Sequence, residues 1–425
     1  MSDSVPLGSA FRRLWIATGI SSVGDGMVLV AFPLLALEFT HNSLTIAGVA
    51  VAGRLPAFLI GLPSGAVVDR RNRRRLMVGV EILRLVVLLS FAVTVLAGAN
   101  GLPAIYATVF VLGGLESVYN SASIASLPAM VPAKLLIPAN SRLLTLNVAG
   151  QELAGQALGG LALTTAAVLP FAADAGSFAA SALLLRRAIP DTPPPPTNTS
   201  LLADLREGIR WFRRSPLLRS LAGMIASMAF FQAAVMSILV LYGTENLHLS
   251  RTGYGLLLGV ASIGNIIGAL SAARLHRRLG SGWSLIVAGS AAALAYPVLA
   301  ITSSRIAAAA ALTLEAMSVV FGTVVTRSVR QAVVPLGLQG RVAAAYRIFI
   351  LGAAPLGALA GGVLAAQVGV RTTFLLSGVT QLLMLILMTP RLLPRLKGSG
   401  DISHATGPGL PGSGFGPETP KQATV

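Results

Sequence analysis

The sequence predicts an all-α membrane protein whose twelve transmembrane helices form two pseudo-symmetric six-helix bundles. Three observations carry that expectation: the composition, the length and number of the apolar runs, and the placement of basic residues between them. With 54% hydrophobic and 11% charged residues and a mean hydropathy of +0.77, a chain of 425 residues has more apolar surface than one soluble core can bury. Lipid must serve as its solvent. The net charge of +17 does not point to nucleic acid, because the basic residues punctuate apolar runs instead of gathering on a soluble face.

Crossing ~30 Å of hydrocarbon takes ~20 helical residues. Residues 1–11 form a cytoplasmic N-terminus. The first span, 12–39, has a basic flank like that of a signal peptide, but its length, its Asp25 and the lack of a cleavage site predict that it is retained. Spans at 44–68, 75–98, 103–130, 138–163 and 167–187 complete a first bundle over 12–187. Residues 188–216 form a cytoplasmic linker, with stiff polyproline at 191–197 and an amphipathic helix at 201–216 expected to lie on the inner leaflet. Spans at 217–244, 251–274, 283–303, 305–334, 340–368 and 371–392 make a second bundle over 217–392, all boundaries holding to within about 4 residues. The Gly-, Ser- and Pro-rich tail, 393–425, cannot build a core and is expected to be disordered in the cytoplasm.

Charge orients these spans. The arginines of 70–75, with Arg12, Arg13, Lys134, Arg142, Arg186, Arg187, Arg274, Arg277, Arg278, Arg341, Arg391, Arg395 and Lys397, fall at one set of ends; only Arg251, Arg305 and Arg371 fall at the other. The positive-inside bias makes the first set cytoplasmic, with both termini, in a multi-pass cell-membrane protein. A constant shift of 203 residues relates the halves: Gly61 and Gly65 to Gly264 and Gly268, Arg71, Arg74 and Arg75 to Arg274, Arg277 and Arg278, and Val131-Pro132 to Val334-Pro335.

The loop GAVVDRRNRRRL at 65–76 holds one acidic residue followed by five arginines within six positions. It resembles motif A of the major facilitator superfamily, with Gly65, Asp69, Arg70, Arg73, Arg74 and Arg75 in matching places and Asn72 at the motif's glycine, a mild departure because Asn also tolerates a left-handed backbone. The resemblance covers all twelve spans and implies the major facilitator fold. It also implies that Asp69 latches span two against span eleven around residues 341–346 and stabilises the outward-open state. In span five, GQELAGQALGG at 150–160 resembles the glycine-rich motif C of the family's antiporters through Gly155, Gly159 and Gly160. Gln156 replaces the motif's proline, which leaves the expected kink without its usual cause. The runs at 121–143 and 340–362 resemble the bacterial branch that includes macrolide-efflux and enterobactin-export proteins.

Carboxylates in hydrocarbon each cost ~3 kcal/mol and are functional by default. Asp25, Glu116, Glu152, Asp174 and Glu315 qualify. Asp25 and Glu116 sit at mid-depth in spans that line the central cavity in the family resembled, so they are the first proton-coupling candidates, with Glu152 third. The other reading of Asp25 is a structural carboxylate paired with Arg54 or satisfied by flanking serines. Glu81 and Arg84, three residues apart, read as a helix-internal ion pair outside the site. Phe32, Tyr119, Asn120, Gln232 and Asn265 are candidate cavity residues, with Gln381, Phe230 and Phe231 as further mid-depth groups. Span four lacks the arginine of the family's motif B.

With no cysteine, and with four histidines that lack ligand spacing, no metal or other cofactor is expected. Nor do nucleotide-binding or hydrolase motifs occur that would indicate an enzyme. The expected partners are a small-molecule substrate, protons and membrane lipids, and the chain is expected to act as a monomer. The resemblance implies a secondary active exporter of an amphipathic small molecule, a drug or a secreted metabolite such as a siderophore, driven by proton antiport through alternating access. A lipid flippase or solute uptake facilitator of the same fold, and a non-transporting sensor, are the alternatives.

Overall fold

The computed structural model describes residues 8–132, 135–189, 201–334 and 338–400. The side chains of 62–67, 69, 70, 137, 201–205, 208, 340, 344, 391, 392 and 395–400 lie outside that description, as do the 191–197 polyproline and the tail beyond residue 400. Backbone polar groups in lipid have no water to bond, so each crossing must satisfy its own, and the described residues are helical almost throughout. In the first half the helices are α1 (Gly8–Ala36), α2 (Ser43–Arg70), α3 (Arg73–Leu96), α4 (Leu102–Ser126), α5 (Leu136–Asn147), a π-helix (Val148–Gly155), α6 (Gln156–Thr165) and α7 (Leu169–Ala188). Then follow α8 (Leu201–Arg214), α9 (Pro216–Leu241) with a second π-helix (Tyr242–Asn246), α10 (Arg251–Ile301), α11 (Arg305–Val333), α12 (Gln339–Val368) and α13 (Val370–Gly400).

Among the described residues, nine helices are long and apolar enough to cross a membrane. One of them, α10, counts for two: at 51 residues it would extend about 76 Å if straight, over twice the hydrocarbon thickness. Its chain turns at Gly280, whose φ of 69° only glycine adopts without strain, which separates 251–279 from 281–301. The continuous α5–π–α6 rod and α7 complete the twelve. Helix pairings repeat between halves: α1 packs on α7 as α9 does on α13, α2 on α4 as α10 does on α11, and α3 on α7 as α10 does on α13. Across the halves α2 packs on α12, and α6 on α10.

Asn72 does not use the left-handed backbone that it tolerates; at φ −63° and ψ 114° it is the N-cap of α3, its Oδ1 accepting from the Arg75 backbone N–H at 3.1 Å. Two expectations are corrected. The linker helix does not simply rest on lipid. Its apolar face docks on α12, where buried Phe212 stacks on Phe349 at 4.9 Å and Glu207 meets Arg341 at 2.5 Å. The last helix runs on to Gly400, past the end at 392 that hydropathy gives.

The three arginines at the opposite end have local employment. Arg305 donates to the carbonyls of Leu247 and His248 at 3.1 and 3.0 Å, and Arg371 to Ser303 Oγ at 2.8 Å, while Arg251 meets Glu38 at 2.7 Å. They are held by chain ends and a carboxylate, so they do not contradict the charge asymmetry. For the cap, Asn72→Ala should lower stability by ~1 kcal/mol and Asn72→Gly by only a few tenths, read as thermal midpoints of the detergent-purified protein.

Candidate functional site

Two contiguous chambers lie between the bundles and share Gly53, Arg54, Gly113 and Glu116. Glycine is required at that seam, because a Cβ on Gly113 would strike the Gly53 carbonyl where α2 and α4 cross. One chamber, ≈350 Å³, lies largely on the first bundle, with Asp25, Phe32, Arg84 and Asp174 on its wall. The other, ≈410 Å³, is walled by both bundles through Asn120, Gln232 and Arg347. Each is in the size range of small-molecule sites, ~300–1,000 Å³.

The charged cluster on the first chamber's wall joins α1, α3 and α7. Arg84 Nη2 donates to Asp25 Oδ1 at 2.7 Å, and Nη1 lies 3.6 Å from Glu81 Oε2. Ser181 donates to Glu81 at 2.7 Å and Ser177 to Asp174 at 2.8 Å. The guanidinium also lies over the Phe178 ring at 4.3 Å, an arrangement that a planar delocalised cation accepts. Arg84 is 2% exposed, Glu81 0% and Asp174 1%. Satisfaction is incomplete, since Arg84 Nε and Asp174 Oδ2 have no hydrogen-bond partner. A polar crevice of ≈10 Å³, room for about one water, adjoins Asp25 and Arg84 between Ser22, Tyr119 and Asn147.

The predicted residues distribute unevenly around this cavity. Asp25 and Glu116 line it, as do Asn120 and Gln232. Phe32 reaches the wall from a core triangle with Phe91 and Phe171, at ring distances of 5.2 and 5.1 Å. Tyr119 is buried at the crevice, its ring 6.0 Å from the Arg84 guanidinium. Glu152 and Asn265 line neither chamber; they hydrogen-bond each other across the interface between halves, from the π-helix to α10. Phe230 and Phe231 pack edge to face, and Gln381 is buried in α13. Glu315, 2% exposed, accepts from Gln232 and Tyr296, both at 3.1 Å.

Asp25 pairs with neither Arg54 nor flanking serines but with Arg84, which sequence reasoning set aside as half of a helix-internal pair. That pair exists; the same guanidinium simply reaches a second helix. The rule that intramembrane charges mark function would have retained it. Arg347, at the chamber wall, was read only as part of a motif-like run.

The motif C-like glycines serve close packing. A Cβ on Gly155 would lie 2.7 Å from Gly26 Cα, one on Gly159 2.7 Å from Met27 Cα, and one on Gly160 3.0 Å from Gly255 Cα, so span five lies backbone-to-backbone on α1 and α10. The π-helix over Val148–Gly155 supplies the irregularity just before Gln156 that a proline would otherwise cause. Of motif A, Gly65, Asp69 and Arg70 have side chains outside the described residues; Arg73, Arg74 and Arg75 begin α3.

At the end opposite the arginine-rich loop the halves are joined. Glu38 meets Arg251 at 2.7 Å, His41 meets Glu245 at 2.9 Å, and Ser43 Oγ donates to the Gly362 carbonyl at 3.2 Å. Arg84→Met should destabilise the protein by ~3–5 kcal/mol, because it strands buried Glu81 and part-buried Asp25 without their cation. Arg84→Lys should recover only part of that, since an ammonium cannot present the same planar fork to two carboxylates; thermal unfolding in one detergent checks both.

Residues 2–410 match the family described as transmembrane secretion effector. The chain is 29% identical over 394 residues to the multidrug efflux pump Tap of Mycolicibacterium fortuitum, covering 89% of this chain and 94% of Tap. It is 28% identical over 284 residues to the enterobactin exporter EntS of Citrobacter koseri, covering 65% of this chain and 66% of EntS. Among solved structures, the nucleoside transporter NupG superposes with a TM-score of 0.71 at 12% identity, over 90% of this chain and 99% of that one. A bacterial homologue of the iron transporter ferroportin, inward-facing, gives 0.67 at 18% identity, over 89% and 98%. These likenesses are of fold. The chain is a multi-pass membrane transporter, and it belongs to the transmembrane secretion effector family of the major facilitator superfamily.

Proposed function

We propose that this transporter exports an amphipathic small molecule from a bacterial cell in exchange for protons. The observation that carries the reading is the Asp25–Arg84–Glu81 cluster, with Asp174 and Glu116 beside it, on the wall of a cavity between two bundles. One guanidinium balances one carboxylate, so a cluster with this surplus of carboxyl groups adjusts its charge by taking up or releasing protons. Protonating Asp25 would release Arg84 to Glu81 and loosen α1 from α3. Glu116, on both chamber walls, would report the same proton to bound substrate, and Glu152 would act through Asn265 at the joint between halves.

In this reading the arginine-rich end faces the cytoplasm with both termini, anionic lipid headgroups hold it there, and residues 12–187 and 217–392 rock as bundles. Asp69 of motif A would latch α2 to α12 in the outward-open state. The opposite end is held by ion pairs exposed to water, each worth about 0–1 kcal/mol, a strength suited to reversible opening. The relatives are a multidrug efflux pump and an enterobactin exporter, which favours export over uptake.

The test is flux in proteoliposomes loaded with ethidium, Nile red or carboxyfluorescein under an imposed pH gradient. The wild-type protein should move at least one dye in a gradient-dependent way. Asp25→Asn and Glu116→Gln should each abolish the response to pH while retaining exchange at equal pH. Flux of the wild type that is indifferent to collapse of the gradient would remove the antiport reading. The gate can be read separately, because a chain without cysteine offers a clean background for labelling. In Leu258→Cys, a site on the first chamber's wall, Arg251→Ala should raise labelling by an impermeant maleimide several-fold from the end opposite the arginine-rich loop. Unchanged labelling would show that the Glu38–Arg251 pair does not hold that end shut.

A further inference from the structure

Arg54 of α2 and Arg347 of α12 line the same chamber, one from each bundle. Among the described residues neither makes an ion pair or a hydrogen bond, whereas Arg84 nearby has two carboxylates. Arg54 lies about 16 Å along α2 from Ser43, well inside the membrane, and Arg347 about 12 Å along α12 from Gln339. The chamber's carboxylate, Glu116, does not come within ion-pair distance of either. Guanidiniums in such a place are expected to be paired or to meet an ion on its path. Among the described residues no carboxylate pairs with either guanidinium, so the natural counter-charge is the cargo. Neutral polar groups surround the arginines, from Ser117, Asn120 and Gln232, and the adjoining chamber offers an apolar wall of Phe32, Val109, Leu112 and Met236.

We infer that Arg54 and Arg347 clamp the acidic group of an amphipathic organic anion, a carboxylate, phenolate or sulfonate, whose apolar body lies in the adjoining chamber. This substrate class rests on the export reading above. A guanidinium fork matches a planar anion with two parallel hydrogen bonds, and the anion would neutralise two like charges carried on the same chamber wall by α2 and α12, which already pack on each other. Loading the cargo would thereby relieve a repulsion between the halves.

Equilibrium binding tests the inference without requiring transport. The full chain in phosphatidylcholine nanodiscs is titrated with three probes that share one fluorophore: dansylglycine (anionic), dansylamide (neutral) and dansylamidoethyl-trimethylammonium (cationic). Dansylglycine should bind saturably and at least about tenfold tighter than the other two, and Arg54→Gln and Arg347→Gln should each weaken it by about tenfold or more. Size-exclusion profiles and thermal midpoints identify a variant that fails to fold. In that event Arg54→Lys and Arg347→Lys, which keep the charge and lose the fork, should still weaken dansylglycine several-fold. A preference for the cation, anion binding indifferent to all four substitutions, or no saturable dansylglycine binding would overturn the inference. Repeating the titration with phosphatidylglycerol in the nanodisc separates the two sources of anion: loss of dansylglycine binding assigns the clamp to a lipid headgroup, and retention assigns it to a soluble solute. Dansylglycine binding without dye flux would discard export alone, and dye flux without dansylglycine binding would discard the substrate class alone.

Discussion

A guanidinium buried to 2% exposure is the constraint around which the first bundle is arranged. A buried Arg84 cannot be left unpaired, so Asp25 from α1 and Glu81 from its own helix are drawn to it, and Ser181 of α7 donates to one oxygen of Glu81. Three helices thereby meet through one charged cluster. The Phe32–Phe91–Phe171 triangle joins the same three helices with apolar contacts nearer their opposite ends.

The second bundle solves the same problem without a cation. Glu315 is as buried as Arg84, yet it is held by neutral donors, Gln232 and Tyr296. Pseudo-symmetry of the backbone therefore does not extend to the chemistry: pairings of helices repeat, and the ionic cluster belongs to one half. A division of labour follows, in which the first bundle carries the charge that the proposed exchange would vary and the second supplies polar groups to the shared chamber.

The halves meet through contacts of two strengths. Glycine-to-glycine approach at Gly160 and Gly255 brings backbones together with no side chain to obstruct sliding, while Glu38–Arg251 and His41–Glu245 close one end with ion pairs that water competes for. The π-helix at Val148–Gly155 places an extra residue in a turn of the rod that contacts both α1 and α10. Glu152 sits in that turn and bonds Asn265 of the other half. The linker is also part of the second bundle's surface, since α8 is fastened to α12 through Phe212 and Glu207, so the connection between halves is anchored at one side.

Span number and the two-bundle plan were legible in the sequence. Each follows from a one-dimensional quantity: apolar run length against bilayer thickness, or the spacing of arginines that cannot enter hydrocarbon. Asp25 and Glu116 were legible as cavity residues for the same reason, the cost of a carboxylate at mid-depth. What only the tertiary structure decided is who meets whom. Spacing suggested that Arg84 belongs to Glu81, but helix packing also delivers it to Asp25, distant in the chain. Glu152, read as a proton-coupling candidate, and Asn265, read as a cavity group, meet each other at an interface because α6 and α10 pack glycine to glycine. Partner choice for a buried polar group depends on rotation and approach of neighbouring helices, which packing sets and hydropathy does not encode.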